Sequence, residues 1–443
     1  MQPVSDGEKN RTALDLFWIW FAANLGILGV VFGAMIVSFH EGFWGSVAIA
    51  ALGSLSFALI GLLSVAGRDA GQPMMALSAR VFGNRGNMLM ALLNWVNLLG
   101  WEAVAVLTGT YAIQAALSPL VLVRCHWLMD VCGGLFLVVF LVLALYGYPI
   151  VVRLQKWVAY VFGVLTLVIL IAFWAHGTSG APVAAAAGGD WQGGVAAFTL
   201  ILAGTSISWT MASSDYSRYL SRRVRSRSIV LAVTLGGGIP LFVLLLTGIL
   251  LGERSSSLLT AANPIQALSA FLPLWMQIPY LIVVIGGLLA EAVLGFYSSG
   301  FNLLAMGVRI PRPRTAWIDF FVSFAALLFG LSHPTDFLGA LEGFLSLMGV
   351  ALAAWTGVFL MYEWRVKASE IKVPGAVRLD AFGAFAVATV IGLMFTSTPL
   401  LTGPYAKGIF AESNLGVVFA LVVAGGLYYV LGHFRFRLEA HSE

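Results

Sequence analysis

Long apolar segments alternate with short polar loops along almost the whole chain. A transmembrane helix needs roughly 20 mostly apolar residues. Twelve segments have this character: 15–38, 43–66, 87–117, 127–146, 150–175, 192–215, 228–251, 275–303, 315–332, 336–362, 381–398 and 412–432. The pattern therefore predicts an all-α membrane protein that crosses the bilayer twelve times.

The basic residues between these segments test the topology independently. With the amino terminus placed in the cytoplasm, all but three of the 24 Lys and Arg fall in cytoplasmic segments, the exceptions being Arg124, Arg254 and Lys407. Cytoplasmic loops of membrane proteins carry such an excess of positive charge, so both termini are predicted to be cytoplasmic. The polar start lacks a cleavable signal pattern, which predicts that the first span is retained in an inner (plasma) membrane protein.

The composition excludes most other classes of protein. Hydrophobic residues make up 60% and charged residues 10% of the 443 positions, and the mean hydropathy is +0.93. Soluble domains usually carry about 25% charged residues, so a soluble enzyme, a nucleic-acid-binding module and a disordered chain are excluded. The net charge of +4 reports orientation in the membrane rather than a nucleic-acid partner.

Two apolar segments carry small and polar residues near their middle. Asn24, Gly26 and Gly29 interrupt the first, and residues 204–214 of the sixth combine Gly, Ser and Thr. Taken singly, such residues could serve only close helix packing. Two interruptions five helices apart instead favour an inverted repeat whose first helices are discontinuous. The predicted units are a cytoplasmic segment (1–14), two five-helix repeats (15–175 and 176–362), and two accessory helices with a cytoplasmic tail (363–443).

Four short stretches carry a family resemblance. Residues 215–219 read Asp-Tyr-Ser-Arg-Tyr and residues 20–25 read Trp-Phe-Ala-Ala-Asn-Leu. Residues 97–101 read Asn-Leu-Leu-Gly-Trp and residues 296–302 read Phe-Tyr-Ser-Ser-Gly-Phe-Asn. Together with twelve spans, these motifs resemble the purine–cytosine permease family of nucleobase–cation symporters over nearly the whole chain. The resemblance implies a LeuT-like fold with a 5+5 inverted repeat and two extra C-terminal helices.

The third segment carries a candidate ring-binding surface. Asn94, Asn97, Trp101 and Thr108 recur at helical spacing and share one stripe. An indole face bordered by amides suits a flat heteroaromatic ring, which stacks on the indole while the amides pair with its edge. The resemblance places Trp101 where the family keeps its stacking tryptophan. The alternative is a tryptophan packed within the helix bundle.

The interrupted segments supply the other candidate substrate groups. Ser206, Ser208 and Trp209 lie at the interruption of the sixth segment, and Asn24 at that of the first. Discontinuous helices present free N–H and C=O groups to a solute. Bacterial cytosine permeases often place an aromatic residue where Ser206 stands and a glutamine where Leu98 stands. This departure leaves the exact nucleobase open.

A carboxylic acid in the eighth segment is the main candidate for ion coupling. The resemblance implies that sodium-coupled members bind Na+ through backbone carbonyls, here near Ala22 and Leu25, and through two hydroxyls of the eighth helix. Those two positions hold Ala290 and Glu291. An ionisable group at mid-membrane costs ~3 kcal/mol or more and is a functional candidate by default. We expect Glu291 to carry a proton; sodium binding by its carboxylate and a static hydrogen bond between helices are the alternatives.

Further acidic residues compete for roles. Glu102 lies about 100° around the helix from Trp101, off the polar stripe, where it faces helix ten or another neighbour, and it is a second candidate coupling group. Glu342, nearer the outer end of the tenth segment, belongs either to an external gate or to a wetted vestibule. Asp215 and Arg218 are spaced i, i+3, which predicts an ion pair at the cytoplasmic end of the sixth span.

These features together predict a secondary active transporter. It would import a nucleobase or related planar heterocycle, cytosine or a purine, with a proton by alternating access. The alternative is a sodium-coupled symporter of a hydantoin, a vitamin-precursor pyrimidine or an amino-acid-like substrate on the same fold. The sequence holds no catalytic constellation, metal-ligand spacing or phosphate-binding Gly-Lys motif, so no enzyme, metal or cofactor is predicted beyond H+ or Na+ as coupling ion. The expected partners are the heterocycle and the lipid bilayer, and the oligomeric state is left open.

Overall fold

The fold is given by a computed structural model. It describes residues 2–117, 126–146, 148–177, 191–255, 258, 261, 263–332, 337–365, 377–398, 400–411 and 413–440. Within these residues the secondary structure is helical, apart from isolated β-bridges at Arg11–Leu220 and Ser397–Thr402.

The α-helices are numbered here in chain order. They are α1 (Ala13–Ala23), α2 (Leu28–Val37), α3 (Gly42–Leu55), α4 (Phe57–Ala70), α5 (Met74–Leu117), α6 (His126–Leu145), α7 (Tyr148–Ala172), α8 (Trp191–Leu202), α9 (Ser208–Thr210), α10 (Ser213–Ser217), α11 (Ser226–Gly252), α12 (Pro264–Ser269), α13 (Leu274–Ala305), α14 (Arg312–Ser332), α15 (Phe337–Arg365), α16 (Leu379–Met394) and α17 (Gly416–Ala440). Two π-helical segments, Phe173–Gly177 and Ala203–Ile207, and a 3₁₀-helix, Gly408–Phe410, complete the set for the described chain.

Most of these helices are suited to a bilayer. Among the described residues, nine helical stretches are long and apolar enough to cross a membrane, and α1 with α2 forms a tenth span. Leu379–Met394 and Gly416–Leu431 are shorter apolar helices. The predicted all-α, multi-span architecture is confirmed. The count of twelve, which requires both shorter helices to cross, stays a prediction.

The first span is broken at the predicted place. α1 ends at Ala23, α2 begins at Leu28, and the two helices meet at 64°. Asn24 terminates α1 because its side-chain Nδ2 donates to the carbonyl of Trp20 at 2.9 Å, in competition with continued helix. At the other end of α1, Thr12 and Asp15 form a reciprocal capping box. The break therefore has a local cause in the sequence.

The sixth span is widened near its middle and then interrupted: α9 ends at Thr210 and α10 begins at Ser213, within the stretch where the sequence predicts a discontinuity. The stretch Trp191–Thr210 remains one helical span, but it widens into the π-helical segment Ala203–Ile207. Two hydroxyls fold back onto the widened turns: Thr205 Oγ1 donates to the carbonyl of Ile201 at 2.6 Å, and Ser208 Oγ donates to the carbonyl of Ala203 at 2.5 Å. Because side chains satisfy these carbonyls, the chain does not need to separate here. π-helical turns of this kind often mark functional sites.

The third span begins earlier than predicted. The sequence places its start at residue 87, whereas α5 begins at Met74. Gly83 interrupts it with φ 75° and ψ 160°, a conformation that glycine adopts without the strain a side chain would cause. A short helical arm at 74–82 thus precedes the membrane-spanning part of α5.

The helices form two packed groups with a cavity between them. One group joins α1, α2, α4, α10 and α11; the other joins α5, α6, α13 and α14, and α7 contacts both α1 and α13. Close approach of α2 to α11 depends on Gly33, because a Cβ there would lie 2.1 Å from the carbonyl oxygen of Leu245. α15, α16 and α17 pack together, and α15 also contacts the π-helical segment and α5.

Candidate substrate and coupling-ion site

A small cavity lies where the broken first span meets α5, the π-helical segment and α13. Its wall consists of Ala23, Asn24, Gly26, Leu28, Gly29, Phe32, Trp101, Gly204, Thr205, Trp209, Leu241 and Glu291. The cavity volume is about 40 Å³, which holds a few water molecules but is far below the ~300 Å³ or more of pockets that enclose drug-sized ligands. Side chains must therefore move before a heterocycle can bind.

Aromatic side chains form two sides of the cavity. The ring of Phe32 meets the indole of Trp101 edge-on, with centroids 6.4 Å apart, and Trp20 meets Trp209 in the same way at 5.8 Å. Phe32 also abuts the π-helical segment, since a Cβ on Gly204 would lie 3.2 Å from its Cζ. Phe32 thus fills the space beside the predicted stacking residue, and the indole Nε1 of Trp101 has no hydrogen-bond partner in the described structure.

Three predicted substrate residues lie behind the cavity wall. Asn97 Nδ2 donates to the carbonyl of Ser208 at 2.9 Å, and the Ser208 hydroxyl is bonded within its own span. The hydroxyl of Ser206 accepts a hydrogen bond from Ser56, at 2.7 Å, across to the start of α4. The carbonyl of Ser208 is free for the bond from Asn97 because α9 ends at Thr210. These three side chains therefore shape the wall, whereas Asn24, Trp101 and Trp209 line it.

Glu291 is the charged group among the residues that line the cavity. Its Oε2 lies 3.6 Å from the place where a Cβ on Gly26 would stand, so the carboxyl faces the break in the first span. No described side chain forms a hydrogen bond or an ion pair with it. The carboxyl is therefore held at the cavity without a fixed protein partner.

The position where the resemblance implies a sodium ion is packed with apolar side chains. Ala22, Leu25 and Ala290 form a buried cluster with two residues of α7, Val158 and Ala159. The carbonyl oxygen of Ala22 accepts from the N–H of Leu25 at 3.3 Å. The carbonyl of Ala290 accepts from Gln155 Nε2 at 2.7 Å, a contact that the sequence did not reveal. The carbonyl oxygens of Ala22 and Ala290 thus already accept hydrogen bonds within the protein.

Glu102 faces away from the cavity. Its Oε2 accepts a hydrogen bond from the hydroxyl of Ser323 in α14 at 2.9 Å, and its Oε1 lies 3.7 Å from the position of a Cβ on Gly295 in α13. The neighbours of Glu102 are therefore helices eight and nine of the predicted topology, and not helix ten. This orientation follows from its position about 100° around α5 from Trp101.

The predicted ion pair between Asp215 and Arg218 is wrong. Asp215 Oδ1 instead accepts the backbone N–H of Met74 at 2.8 Å, where α5 begins. Arg218 donates to the hydroxyls of Tyr219, at 2.6 Å, and Tyr297, at 3.0 Å. The carboxylate stabilises a helix N-terminus, and the guanidinium packs among aromatic rings, so the two groups serve different contacts.

The whole chain matches one protein family. The model of the permeases for cytosine/purines, uracil, thiamine and allantoin matches residues 3–416. The chain belongs to this family. The permease is 26% identical to the putative purine-cytosine permease YxlA of Bacillus subtilis, over 99% of this chain and 96% of that protein. It is 23% identical to the purine-cytosine permease FCY2 of Saccharomyces cerevisiae, over 81% of this chain and 69% of that protein.

Solved structures share the fold of the permease. Mhp1, a nucleobase-cation-symport-1 family transporter, in a closed conformation with bromovinylhydantoin bound, matches with a TM-score of 0.75 and 16% identity, over 98% of this chain and 94% of that one. The inward-facing conformation of Mhp1 matches with a TM-score of 0.71, 17% identity and coverages of 98% and 93%. The predicted LeuT-like fold is confirmed, and the permease is a membrane transporter rather than an enzyme.

Several residues that line the cavity were not predicted from the sequence. Phe32, Thr205 and Leu241 line the cavity, yet they sit in apolar or small-residue runs that give no chemical signal. Phe32 follows Asn24 by eight residues, a spacing that would place both on one face of a continuous helix. The break between them changes the direction of the helix, and Phe32 meets Trp101 edge-on after the bend.

Proposed function

We propose that this permease imports a nucleobase or related planar heterocycle together with a proton, by alternating access to the cavity between its two helix groups. Cytosine and the purines are the first candidates, because the family description and the curated relatives carry those names. One observation carries the proposal: an unpartnered carboxyl, Glu291, shares a cavity wall with the aromatic side chains of Trp101 and Trp209.

The aromatic walls favour a flat, unsaturated ring. Trp101 offers an indole face, and a heterocycle that displaces Phe32 would stack on it. Asn24 and Thr205 supply polar groups for the ring edge. Asn97, Ser206 and Ser208 would act indirectly, by holding the π-helical segment in place. A ring with exocyclic amino and keto groups is the ligand that these donors and acceptors suit.

The chemistry near Glu291 favours a proton over sodium. A carboxylate inside the bilayer with no bound cation is costly, so uptake of a proton stabilises it. Sodium would need several oxygen ligands, and the groups around Ala22, Leu25 and Ala290 are packed with apolar side chains. Glu291 would therefore load its proton from one side with the cavity open there, and release it on the other side after the helices have moved.

The orientation of the chain in the membrane and its two repeats complete the proposed architecture. The chain would lie in the inner (plasma) membrane with both termini in the cytoplasm, as the distribution of Lys and Arg indicates. Residues 15–175 and 176–362 would form the two inverted repeats, and the broken first span and the distorted sixth span would be corresponding elements of these repeats.

Uptake by reconstituted protein tests the proposal. The purified chain in proteoliposomes would be assayed with tritiated cytosine, adenine, hypoxanthine and hydantoin under a pH gradient, a membrane potential or a sodium gradient, each imposed alone. We expect a base to accumulate above its equilibrium level with the outside acidic, at equal sodium, and the accumulation to disappear with a protonophore. Thermal unfolding with each compound measures binding separately, since a ligand of the folded state raises the midpoint.

Two results would contradict parts of the proposal. Accumulation driven by a sodium gradient alone at equal pH would identify sodium as the coupling ion and would support the alternative, a sodium-coupled symporter. A panel in which no base raises the unfolding midpoint or enters the vesicles would remove nucleobases as the substrate class.

A further inference from the structure

A second pair of carboxyl groups lies inside the helix bundle, on the side of α5 that faces away from the cavity. Glu102 of α5 and Asp319 of α14 are 1% and 0% exposed. Each has one oxygen held by a donor from the opposite helix: Ser323 Oγ donates to Glu102 Oε2 at 2.9 Å, and Trp95 Nε1 donates to Asp319 Oδ1 at 2.8 Å. The two crossing bonds place both acids at one contact between α5 and α14.

The second oxygen of each acid is buried without a partner. Glu102 Oε1 and Asp319 Oδ2 are inaccessible to solvent and accept no hydrogen bond from the described residues. Gly295 of α13 leaves space beside Glu102 Oε1, since a Cβ there would stand 3.7 Å away. A buried carboxylate oxygen of this kind has no hydrogen-bond donor. A proton that binds to it forms an O–H group and removes the negative charge.

The charged surroundings do not neutralise the pair. The charged group that acts on Glu102 is Asp319 itself, and the cation that acts on Asp319 is Arg312, at the start of α14. Arg312 is engaged elsewhere, because it donates to the carbonyl of Tyr297 at 2.8 Å and lies 3.9 Å from the centroid of that ring. Neither carboxyl has a Lys, Arg or His within ion-pair distance among the described residues.

The other elements at this contact present uncharged groups. α6 reaches α5 with Phe136, against Gly109, and α15 reaches it with Phe344, against Gly100. α13 contributes Gly295 near Glu102 and a hydroxyl, Ser299, near Asp319. Two like charges held in a medium of low dielectric repel strongly. The pair therefore cannot remain doubly ionised without a bound cation or a proton.

We propose that Glu102 and Asp319 together bind one exchangeable proton at a site separate from the substrate cavity. The proton forms an O–H bond with a carboxylate oxygen and is released when that bond breaks, so that no other reactant is needed. Ser323 stands one turn from Asp319 on the same face of α14, and its hydroxyl donates to Glu102, so both acids lie beside the same turn of α14. For a role in transport, the inference rests on the proposed proton symport.

The site is placed to sense the cavity. Glu102 directly follows Trp101 in α5, so one helical turn holds the cavity wall on one side and the carboxyl pair on the other. A movement of α5 relative to α14 when a ring stacks on Trp101 would separate Ser323 from Glu102. The pair would then gain or lose its proton in step with substrate binding.

Infrared spectroscopy tests proton binding without any substrate. pH-difference spectra of the full chain in lipid nanodiscs would record the C=O stretch of protonated carboxyls, with the band shift in D₂O as the assignment. We expect Glu291→Gln to remove one titrating band, and Glu102→Gln and Asp319→Asn each to remove or shift a second one. Ser323→Ala keeps both acids and should shift the second band alone, whereas Ser346→Ala, which removes a buried hydroxyl bonded to Asn414, should shift neither.

Two outcomes distinguish failure of this inference from failure of the proposed function. If every titrating band disappears in Glu291→Gln, or persists unchanged in Glu102→Gln and Asp319→Asn, the pair binds no exchangeable proton and the inference is overturned, whether or not bases are transported. If the second band is present but Glu102→Gln transports tritiated cytosine or adenine with the same charge per molecule as the unchanged chain, the site is not coupled to transport, and that part is overturned.

Discussion

The two sides of one turn of α5 hold acidic groups in opposite conditions. On the cavity side, Glu291 of α13 has no hydrogen-bond partner among the described residues and faces a space large enough for water. On the far side, Glu102 and Asp319 are each held by a donor and shut off from solvent. Water can deliver a proton to the first site directly, but the second exchanges only when helices move apart. Access of water therefore controls proton exchange at Glu291, and movement of the helices controls it at the Glu102–Asp319 pair.

The difference arises from what each neighbouring helix contributes. The broken first span places Gly26 opposite Glu291, and a residue without a side chain leaves the carboxyl free. α14 places a serine and an aspartate opposite α5, and both enter hydrogen bonds across the contact. Mutations on the cavity side should therefore change coupling and binding, while those on the far side should change stability and proton exchange.

The largest expected effect is that of Glu291→Gln. The amide cannot bind and release a proton at neutral pH, so accumulation of cytosine or adenine driven by a pH gradient should fall at least about tenfold, to the equilibrium level. Exchange of labelled for unlabelled base should persist, because the aromatic walls remain. Uptake in proteoliposomes with the outside acidic measures both. Glu291→Asp is the matched control that keeps an acid, and full pH-driven accumulation by Glu291→Gln would rule out this carboxyl as the coupling group.

Trp101→Ala should have the next largest effect, on binding. Stacking of a base on an aromatic side chain is worth about 1–3 kcal/mol, so the Kd for a transported base should rise by roughly 5- to 150-fold. Trp101→Phe should lose less, since it keeps a ring. Titration calorimetry with adenine and cytosine measures both constants. Glu102→Gln, one residue along the same turn, should change Kd far less than Trp101→Ala, because it removes no group that lines the cavity, and an equal loss there would erase the distinction between the two sides.

The sequence predicted the elements of the cavity better than their orientation. Hydropathy and charge identify the spans because they depend on average composition over about 20 residues. The break at Asn24 is also local, since its own side chain terminates α1. Glu291 is recognisable because an acid in an apolar span is costly and is rarely kept there without a function. Each of these features can be read within one helix.

Contacts between distant helices could not be predicted in the same way. Asn97 shares a stripe with Trp101, yet its amide donates to the carbonyl of Ser208, which is free because α9 ends at Thr210 and the N–H of Ala212 donates to Trp209 instead. Asp319 is also an acid in a predicted span, but its partner could not be predicted, since Trp95 lies 224 positions away in the chain. Rotation of each helix about its axis is decided by packing against neighbours, and the periodicity of one sequence does not contain it.

Ser323→Ala probes the far side with a smaller expected change. Removal of the hydroxyl leaves Glu102 Oε2 buried without its donor, and loss of such a bond costs about 1–3 kcal/mol. The free energy of unfolding in detergent should fall by that amount, while Kd for a base should change far less than in Trp101→Ala. Ser346→Ala, whose hydroxyl accepts from Asn414 at 3.1 Å, gives the cost of an ordinary buried hydroxyl. A loss of binding without a loss of stability in Ser323→Ala would contradict the separation of the two sites.

Gly26→Ala is the smallest change and tests why the Glu291 side is open. The added Cβ would stand 3.6 Å from Glu291 Oε2, an ordinary van der Waals contact, so the free energy of unfolding should change by less than about 0.5 kcal/mol. The methyl group would reduce the space for water beside the carboxyl, so proton exchange at Glu291 should slow while that at the Glu102–Asp319 pair is unaffected. Stopped-flow infrared measurement after a pH jump separates the two rates. Gly33→Ala is the contrasting control, because its Cβ would meet the Leu245 carbonyl at 2.1 Å and should strongly destabilise the fold. Equal slowing at both carboxyl sites in Gly26→Ala would mean that water reaches them by one shared route, and the contrast between an open and a closed site would no longer hold.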